Sequence, residues 1–200
     1  MRRCNGARPQ SKLFESQTGM FQHIFGRKRQ VSEAVTEAAY AAIVAAARQE
    51  PLYAQFIIPD TPLGRFESLS AHLILFLRRT KDAAAPLPAL AQEIVDTFIT
   101  DMDHSLRELG IGDAGVPKRM KKLSKMFYGR AESYGSALEK GDAAELARAL
   151  KRNVKPDEAH WPQAEMLAAY LISAEAALKA LDDGAISSGR FEFKAAQDAA

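Results

Sequence analysis

Apolar residues recur at spacings of three and four along most of the chain, which is the period of an amphipathic helix. The pattern predicts helices over six segments: 31–48, 62–79, 87–109, 116–139, 141–153 and 161–182. The one candidate for a strand, RFEF at 190–193, is too short to predict a sheet. We therefore predict an all-α fold: a single compact helical domain of about six helices with flexible termini.

Residue types at the helix boundaries support this division. Ser32, Thr61 and Asp142 each precede a predicted helix, and their side chains are favoured as N-caps. Pro62 strengthens the second boundary, because proline is favoured at the first helical position. The three prolines within 51–65 predict a loop with short turns between the first two helices.

The two termini differ from the helical part. Residues 1–19 hold four basic residues and one acid, and Met20 also reads as a natural start, so we interpret 1–19 as a disordered extension. Residues 20–30 form an amphiphilic basic segment. The helical domain is predicted to span 31–185, followed by a loose tail over 186–200.

The segment 20–30 has two interpretations. It pairs the apolar residues Phe21, Ile24 and Phe25 with the basic stretch 27–29. Such a segment can contact an anionic membrane surface, although it is too short to anchor there stably. The alternative is a frayed first turn with no partner.

Composition limits the possible functions. The net charge is +2, so the chain as a whole is not a polycation and any basic function must be local. Cys4 is the single cysteine, which excludes a disulfide framework and a thiolate metal site and favours a cytoplasmic location. The longest apolar run, residues 73–77, is far shorter than a membrane span.

Residues 116–130, VPKRMKKLSKMFYGR, contain six basic residues and no acid. On a helix, Val116, Met120, Leu123 and Phe127 fall within about 60° of one another. The opposite side carries Lys118, Lys121, Lys122 and Lys125, while Arg119 and Arg130 flank the apolar stripe. The charge is therefore sorted onto one face of the predicted helix.

Three interpretations of this cationic face stay open. A solvated outer face is the most ordinary one. Acids of the preceding helix (Glu93, Asp96, Asp101, Asp103 and Glu108) can also neutralise it within the molecule. A third interpretation is contact with a nucleic acid, since phosphates need only lysines and arginines, although no base-reading module is visible.

No catalytic or metal-binding pattern emerges. The segment 101–108, DMDHSLRE, lacks the glycine and glutamate that a calcium loop needs at its sixth and twelfth positions. The histidines, His23, His72, His104 and His160, show no ligand spacing, and His72 is expected at the border of the core. We predict neither an enzyme nor a bound cofactor.

Several stretches together carry a family resemblance. They are IIPDTPLGRFESLSAHLILFLRR, DMDHSLRELGIGDAGVPKRMKKLSKMFYGR and ALKRNV, in this order. Over roughly 35–180 the chain resembles the ubiquinol–cytochrome c chaperone family, in the short form of an alphaproteobacterial member. The signature residues are Pro59, Asp60, Thr61, Gly64, Arg65, Phe66, Glu67, Arg107, Glu108, Gly110, Gly112 and Asp113.

The resemblance implies a non-catalytic assembly chaperone for the ubiquinol–cytochrome c reductase, respiratory complex III. The mitochondrial members of this family bind newly made cytochrome b at or near the ribosomal tunnel exit and act with a small second assembly factor, and the resemblance implies the same partners here. It also implies at most peripheral membrane contact, at the inner face of the cytoplasmic membrane in a bacterium. The alternative function is a ribosome- or RNA-associated helical module acting through residues 118–130.

Two sets of residues follow as candidates. We expect a partner-binding surface at Lys118, Arg119, Lys121, Lys122, Lys125, Tyr128 and Arg130. In the segment Pro59–Glu67, Pro59 and Pro62 fix the entry to the second helix and Gly64 permits close packing. Phe66 is assigned to the core, and Arg65 and Glu67 are expected to pair with other loops.

Overall fold

A computed structural model describes residues 31–199, and all of its regular elements are helices. Predictions on residues 1–30, including those on the extension 1–19, the segment 20–30 and His23, lie outside the described residues. The α-helices are α1 (Glu33–Ala47), α2 (Glu50–Ala54), α3 (Pro62–Thr80), α4 (Leu87–Glu108), α5 (Val116–Lys140), α6 (Ala143–Val154), α7 (Gln163–Ala180) and α8 (Asp183–Ser187). A short 3-10 helix follows at Ala196–Ala199. The all-α prediction is confirmed, and its six helices correspond to the longer ones.

Helix α3 is the centre of the fold. Thirteen of its nineteen residues are buried, including every residue from Phe66 to Phe76. The other long helices pack around it, so its apolar stripe and its small residues, such as Ser68 and Ala71, all lie inside. No helix within 31–199 is long and apolar enough to cross a membrane.

Two arginines at the end of α3 join it to neighbouring helices. Arg78 Nε lies 2.5 Å from Glu175 Oε1 on α7, and its Nη1 donates to the Gly135 carbonyl on α5 at 3.1 Å. Arg79 donates to the carbonyls of Leu178 and Leu181, at 3.0 and 2.8 Å. These carbonyls lie at the end of α7, where helix geometry leaves carbonyl groups available to outside donors. The Leu178 carbonyl also accepts from the N–H of Leu181 at 3.3 Å. The two guanidinium groups therefore fix the position of α7 against α3.

The predicted caps are confirmed at two of three positions. Thr61 Oγ1 accepts from the backbone N–H of Gly64 at 3.1 Å, and Asp142 Oδ1 accepts from that of Glu145 at 2.8 Å. Ser32 occupies the N-cap position of α1, but its side chain makes no capping hydrogen bond.

Two segments predicted as irregular are more ordered than expected. The predicted loop contains α2, because Pro51 lies in the first turn of a helix, where its missing N–H is not needed. The predicted loose tail is wrong for residues up to 196. Ile186, Phe191 and Ala196 are buried, and the Phe191 ring stacks on Phe76 with centroids 5.6 Å apart.

The C-terminal segment is held by hydrogen bonds as well as by apolar contacts. Gln49 Oε1 accepts from the backbone N–H of Ala196 at 2.7 Å. Lys194 Nζ donates to Ser173 Oγ on α7 at 2.7 Å. Residues 190–196 thus close the core over α1, α3 and α7.

The sequence pattern placed His72 at the border of the core, but the structure places it inside the core. It is 1% exposed, and its Nε2 lies 2.9 Å from the hydroxyl of Tyr170. Its Nδ1 lies 2.8 Å from the Ser68 carbonyl, so Nδ1 carries the proton and Tyr170 donates to Nε2. Burial lowers the pKa of His72 to about 4, which keeps the imidazole neutral.

Candidate partner-binding surface

The first signature segment forms the entry to α3. A Cβ atom on Gly64 would lie 1.9 Å from the carbonyl oxygen of Pro59, so only glycine permits this approach of loop and helix. Asp60 and Arg65 pair on the surface at 2.6 Å, and the bond from Arg65 lowers the pKa of Asp60. Arg65 therefore pairs within its own loop, as a local brace of the entry.

Phe66 and Glu67, the next signature residues, point into the protein. Phe66 is 4% exposed, which confirms its assignment to the core. Both oxygens of the Glu67 carboxylate accept from Arg130 on α5, at 2.8 and 2.6 Å. This is a bidentate ion pair between two helices, and not the pairing with a loop that we expected for Glu67. Burial raises the pKa of Glu67, while the charge of Arg130 opposes this shift.

The ion pair corrects the predicted surface. Arg130 is only 9% exposed and also donates to the carbonyl of Met126 at 3.2 Å. It cannot reach a partner without leaving Glu67, so the prediction of Arg130 as a partner-contact residue is wrong. Arg130 flanks the apolar stripe of α5, and there its side chain faces α3. The sequence pattern alone did not show that Glu67 of α3 lies opposite it.

The second signature segment forms the corner between α4 and α5. Arg107 pairs with Asp103 one turn earlier on α4, at 2.6 Å, and with Asp113 in the corner. Gly110 has φ +78°, a left-handed conformation that ends α4 and favours glycine. Glu108 and Gly112 are exposed here. These signature residues therefore set the geometry with which α5 leaves α4.

The cationic face of α5, which we define as Lys118, Lys121, Lys122 and Lys125, is exposed. Arg119 beside it is exposed as well. Among the residues that the structure describes, none of these five side chains forms an ion pair. Four like charges over about 10 Å of helix repel one another, so an anionic partner would relieve this repulsion.

The acids of α4 do not neutralise the cationic face by ion pairs. Asp103 is occupied by Arg107, and Asp101 accepts from the hydroxyl of Tyr40 on α1 at 2.8 Å. Asp96 accepts from the amide of Gln92 at 2.9 Å, and partial burial raises its pKa. The interpretation as an internally neutralised helix pair is therefore not supported by the contacts of these three acids.

An apolar groove, which we call the α4–α5 groove, runs between these two helices. Its walls are Val95, Phe98, Ile99 and Met102 on α4 and Met120, Leu123, Phe127 and Tyr128 on α5. Phe66 of α3 forms its floor, and its accessible cavity volume is about 20 Å³, which is room for about one water-sized group. The groove is therefore a shallow apolar crevice and not a preformed pocket for large side chains. Its two methionines are only partly buried, and methionine adapts readily to irregular apolar partners.

The two rims of the α4–α5 groove differ in charge. Lys121 lies three residues before the groove residue Ser124 and is the lysine of the cationic face nearest to the groove, whereas Lys125 lies on the opposite side of α5. Asp96 lies three residues before Ile99 and borders it on the α4 side. Tyr128 lines the groove beside the lysines, and burial raises its pKa to about 12. The groove can therefore recognise an apolar segment and orient it by charge.

Sequence reasoning missed this groove, because an apolar stripe on a helix predicts packing against other helices and does not show which part of the stripe stays open. The only available signal was the pair Met102 and Met120, since methionine is common on adaptable binding surfaces. Within residues 31–199 no cluster of three or more histidine, cysteine or acidic side chains is arranged to hold a metal ion. His104 and His160 are both exposed.

Comparison with known proteins agrees with the resemblance of the signature segments. No curated protein sequence matches the chain significantly. The fold is similar to the crystal structure of the Cbp3 homolog from Brucella abortus, with a TM-score of 0.78 and 49% sequence identity. That similarity covers 92% of this chain and 96% of the other. The model of the family described as "Ubiquinol-cytochrome C chaperone" matches residues 54–193, which include both signature segments, and the chain therefore belongs to this family.

Proposed function

We propose that this protein is a non-catalytic assembly chaperone of the ubiquinol–cytochrome c reductase that binds newly made cytochrome b. Membership of the chaperone family is the observation that carries this proposal. The α4–α5 groove supports it, because holding an unassembled membrane protein requires an apolar surface and no reactive group.

The α4–α5 groove and the cationic face have different proposed roles, because one is apolar and the other is charged. The groove takes apolar side chains of the client and removes them from water, at roughly 25 cal/mol for each Å² buried. The cationic face attracts the acidic parts of the client or the phosphates of ribosomal RNA, and so fixes the register of binding. Arg119 and Tyr128 extend this surface at its two edges, whereas Arg130 supports it from inside.

In this proposal the chaperone acts where its client is synthesised. It meets its client near the ribosomal tunnel exit, together with a small second assembly factor. It remains in the cytoplasm, with peripheral contact at the inner face of the cytoplasmic membrane.

The cationic face also favours a second candidate function, a ribosome- or RNA-associated module. Four lysines that each release a counterion from a single-stranded RNA would give a slope of about −3 for log K against log salt. Client binding through the apolar groove would depend on salt far less. A titration of RNA and client binding between low and high salt therefore separates the two functions.

The first experiment is a tagged pull-down from the native cell after crosslinking, with and without nuclease, read by mass spectrometry. Enrichment of cytochrome b in both samples supports the chaperone function. Recovery of ribosomal proteins alone, and their loss after nuclease treatment, would support the RNA-associated module instead.

Point variants test the groove itself. We expect Met102→Glu and Met120→Glu to reduce crosslinking to cytochrome b at least tenfold, because a carboxylate in the groove opposes burial of an apolar client. Met166→Glu on α7 is the matched control, since Met166 is 38% exposed and lies outside the groove. Equal loss in all three variants, or no loss in any, would contradict the proposed role of the groove.

A charge-reversal pair tests the cationic face. Lys121→Glu with Lys122→Glu should weaken association with the client and the ribosome, because it replaces two unpaired cations by anions. The double variant Lys81→Glu with Lys140→Glu makes the same change of net charge at two exposed lysines elsewhere. If both double variants associate like the unaltered protein, the cationic face is not part of the partner-binding surface.

A further inference from the structure

The cationic face of α5 is open to whatever lies outside the protein. Its four lysines fall within about 100° of one another around the helix axis. The next position in the same arc is Gly129, where an added Cβ would meet no atom within 4 Å, so no other part of residues 31–199 covers the helix there. The cationic face is therefore convex and uncovered.

The corner between α4 and α5 adds apolar side chains at one end of the cationic face. Leu109 is 57% exposed, more than any other large hydrophobic residue of 31–199. Ile111 is half-buried, and a Cβ on Gly115 would lie 3.1 Å from its Cγ2 and 3.3 Å from Nη1 of Arg119. Apolar side chains and a guanidinium group therefore meet in this corner, directly before the lysines.

The acids of the corner do not cancel the charge of the cationic face. Asp113 pairs with Arg107, and Glu108 is exposed. Residues 107–125 contain six basic residues and two acidic ones, which gives a net charge of +4. Clusters of about four to eight lysines and arginines on an amphipathic helix are typical of proteins that bind anionic phospholipids. The composition of this surface therefore matches a lipid-binding one.

Lipid phosphates fit the cationic face better than RNA does. Single-stranded RNA is held in cationic grooves that also offer aromatic rings, on which the bases stack. Over 116–132 the exposed arc of α5 has no aromatic side chain, and the half-buried Tyr128 packs its ring 6.0 Å from that of Phe127. A layer of lipid head groups, in contrast, needs only accessible positive charge and an apolar side chain that enters it.

We propose that the cationic face of α5, together with Arg119, Leu109 and Ile111, binds the anionic phospholipid surface of a membrane. The lysines lie among the lipid phosphates, and Leu109 enters the boundary between head groups and acyl chains. Lys121, the lysine nearest to the α4–α5 groove, brings the groove close to the bilayer. The lipid binding stands on this surface alone, whereas its use in passing a client to the membrane rests on the proposed function.

Sedimentation of the full-length protein with lipid vesicles tests the role of charge. Vesicles of equal parts phosphatidylcholine and phosphatidylglycerol are compared with vesicles of phosphatidylcholine alone, and binding should require the anionic lipid. Lys118→Gln with Lys122→Gln should lower the partition coefficient about 25-fold, since each lysine near an anionic surface contributes about fivefold. Every chain keeps residues 1–30, so their contribution is the same throughout.

A second double variant is the matched control. Lys81→Gln with Arg190→Gln makes the same change of net charge at two exposed cations elsewhere and should lower the partition coefficient less than about twofold. Equal binding of the two double variants would overturn the proposal, because the position of the charge would then not matter.

Tryptophan fluorescence tests the apolar contact. With anionic vesicles, the emission of the Leu109→Trp variant should shift to shorter wavelength and be quenched by brominated acyl chains. Met166→Trp on α7 is the control, because Met166 is likewise exposed, and its emission should not change. The buried Trp161 adds the same background to both variants. No shift in Leu109→Trp, or an equal shift in both, would overturn the proposal.

The outcomes separate the lipid surface from the proposed function and from the RNA-associated module. If vesicle binding behaves as expected but the pull-down lacks cytochrome b, the lipid surface stands and the proposed function fails. If cytochrome b is captured but the anionic vesicles are not bound, the function stands and the lipid surface is excluded. Binding of single-stranded RNA through Lys118 and Lys122 without any binding of anionic vesicles would assign the cationic face to the RNA-associated module and overturn the lipid proposal.

Discussion

Gly64 offers the sharpest test of the fold that supports the candidate surface. In Gly64→Ala the new Cβ would lie 1.9 Å from the Pro59 oxygen and 2.9 Å from the Pro59 carbonyl carbon. Both atoms belong to the backbone, so the loop or the first turn of α3 must move. Overpacking of this kind costs typically 1–3 kcal/mol, which exceeds the gain of up to about 1 kcal/mol from replacing a helical glycine. We expect a net loss of about 1–2 kcal/mol in the free energy of unfolding.

The assay is urea unfolding followed by circular dichroism, with thermal unfolding in parallel. For a chain of this size, a loss of about 2 kcal/mol lowers Tm by about 4–8 °C. Gly129→Ala on α5 is the matched control, because its Cβ would meet no atom within 4 Å. That variant should raise stability by about 0.5–1 kcal/mol through helix propensity alone.

We expect Gly64→Ala to lower the free energy of unfolding and Gly129→Ala to raise it. If Gly64→Ala were as stable as the unaltered protein, the close approach to Pro59 would not constrain the loop. The explanation of Gly64 as a signature residue of the α3 entry would then fail. If both alanine variants lost stability equally, the effect would belong to glycine replacement in general.

Three further predictions concern buried side chains, each measured as a change in the free energy of unfolding. Burial lowers the pKa of His72 from its ordinary value of 6.5 to about 4 in the folded protein, so the unfolded chain binds its proton first and stability falls as pH drops from about 6.5 towards 4. Between pH 7 and pH 5 this amounts to about 2 kcal/mol, and His72→Gln should lose most of that dependence. Arg130→Met should cost about 3–5 kcal/mol because it leaves the Glu67 carboxylate buried without its partner, while adding Glu67→Gln should recover much of the loss. Phe191→Ala should cost about 3–5 kcal/mol by uncovering Phe76, and a cost below 1 kcal/mol would show that residue 191 belongs to a loose tail after all.

The long helices were predictable because each has a continuous apolar stripe and a recognisable start. Thr61 and Asp142 are examples in which the residue type alone identified the cap. Helix α2 was not predictable, since its proline signals a break unless it lies in the first turn. The order of the C-terminal segment depends on Phe191 and Ala196 finding the distant Phe76 and Gln49, and local periodicity contains no such information.

The candidate surface was predictable only in part. The sorting of the lysines onto one face of α5 followed directly from the 100° rotation per residue. Arg130 was misassigned because a helical wheel shows that a residue flanks the apolar stripe but not that Glu67 lies opposite it. The α4–α5 groove was missed because periodicity identifies apolar faces without revealing which of them a neighbouring helix leaves uncovered.

The contact between Gln49 and Ala196 has a consequence for the synthesis of the protein. These residues are 147 positions apart, so α1 and α3 leave the ribosome long before the segment that covers them. Until residues 190–196 emerge, the rings of Phe76 and His72 lack their aromatic cover from Phe191 and Phe193. Such late closure slows folding and exposes apolar surface in the meantime. A protein of a chaperone family is thus itself, for the time of its own translation, a chain that benefits from protection.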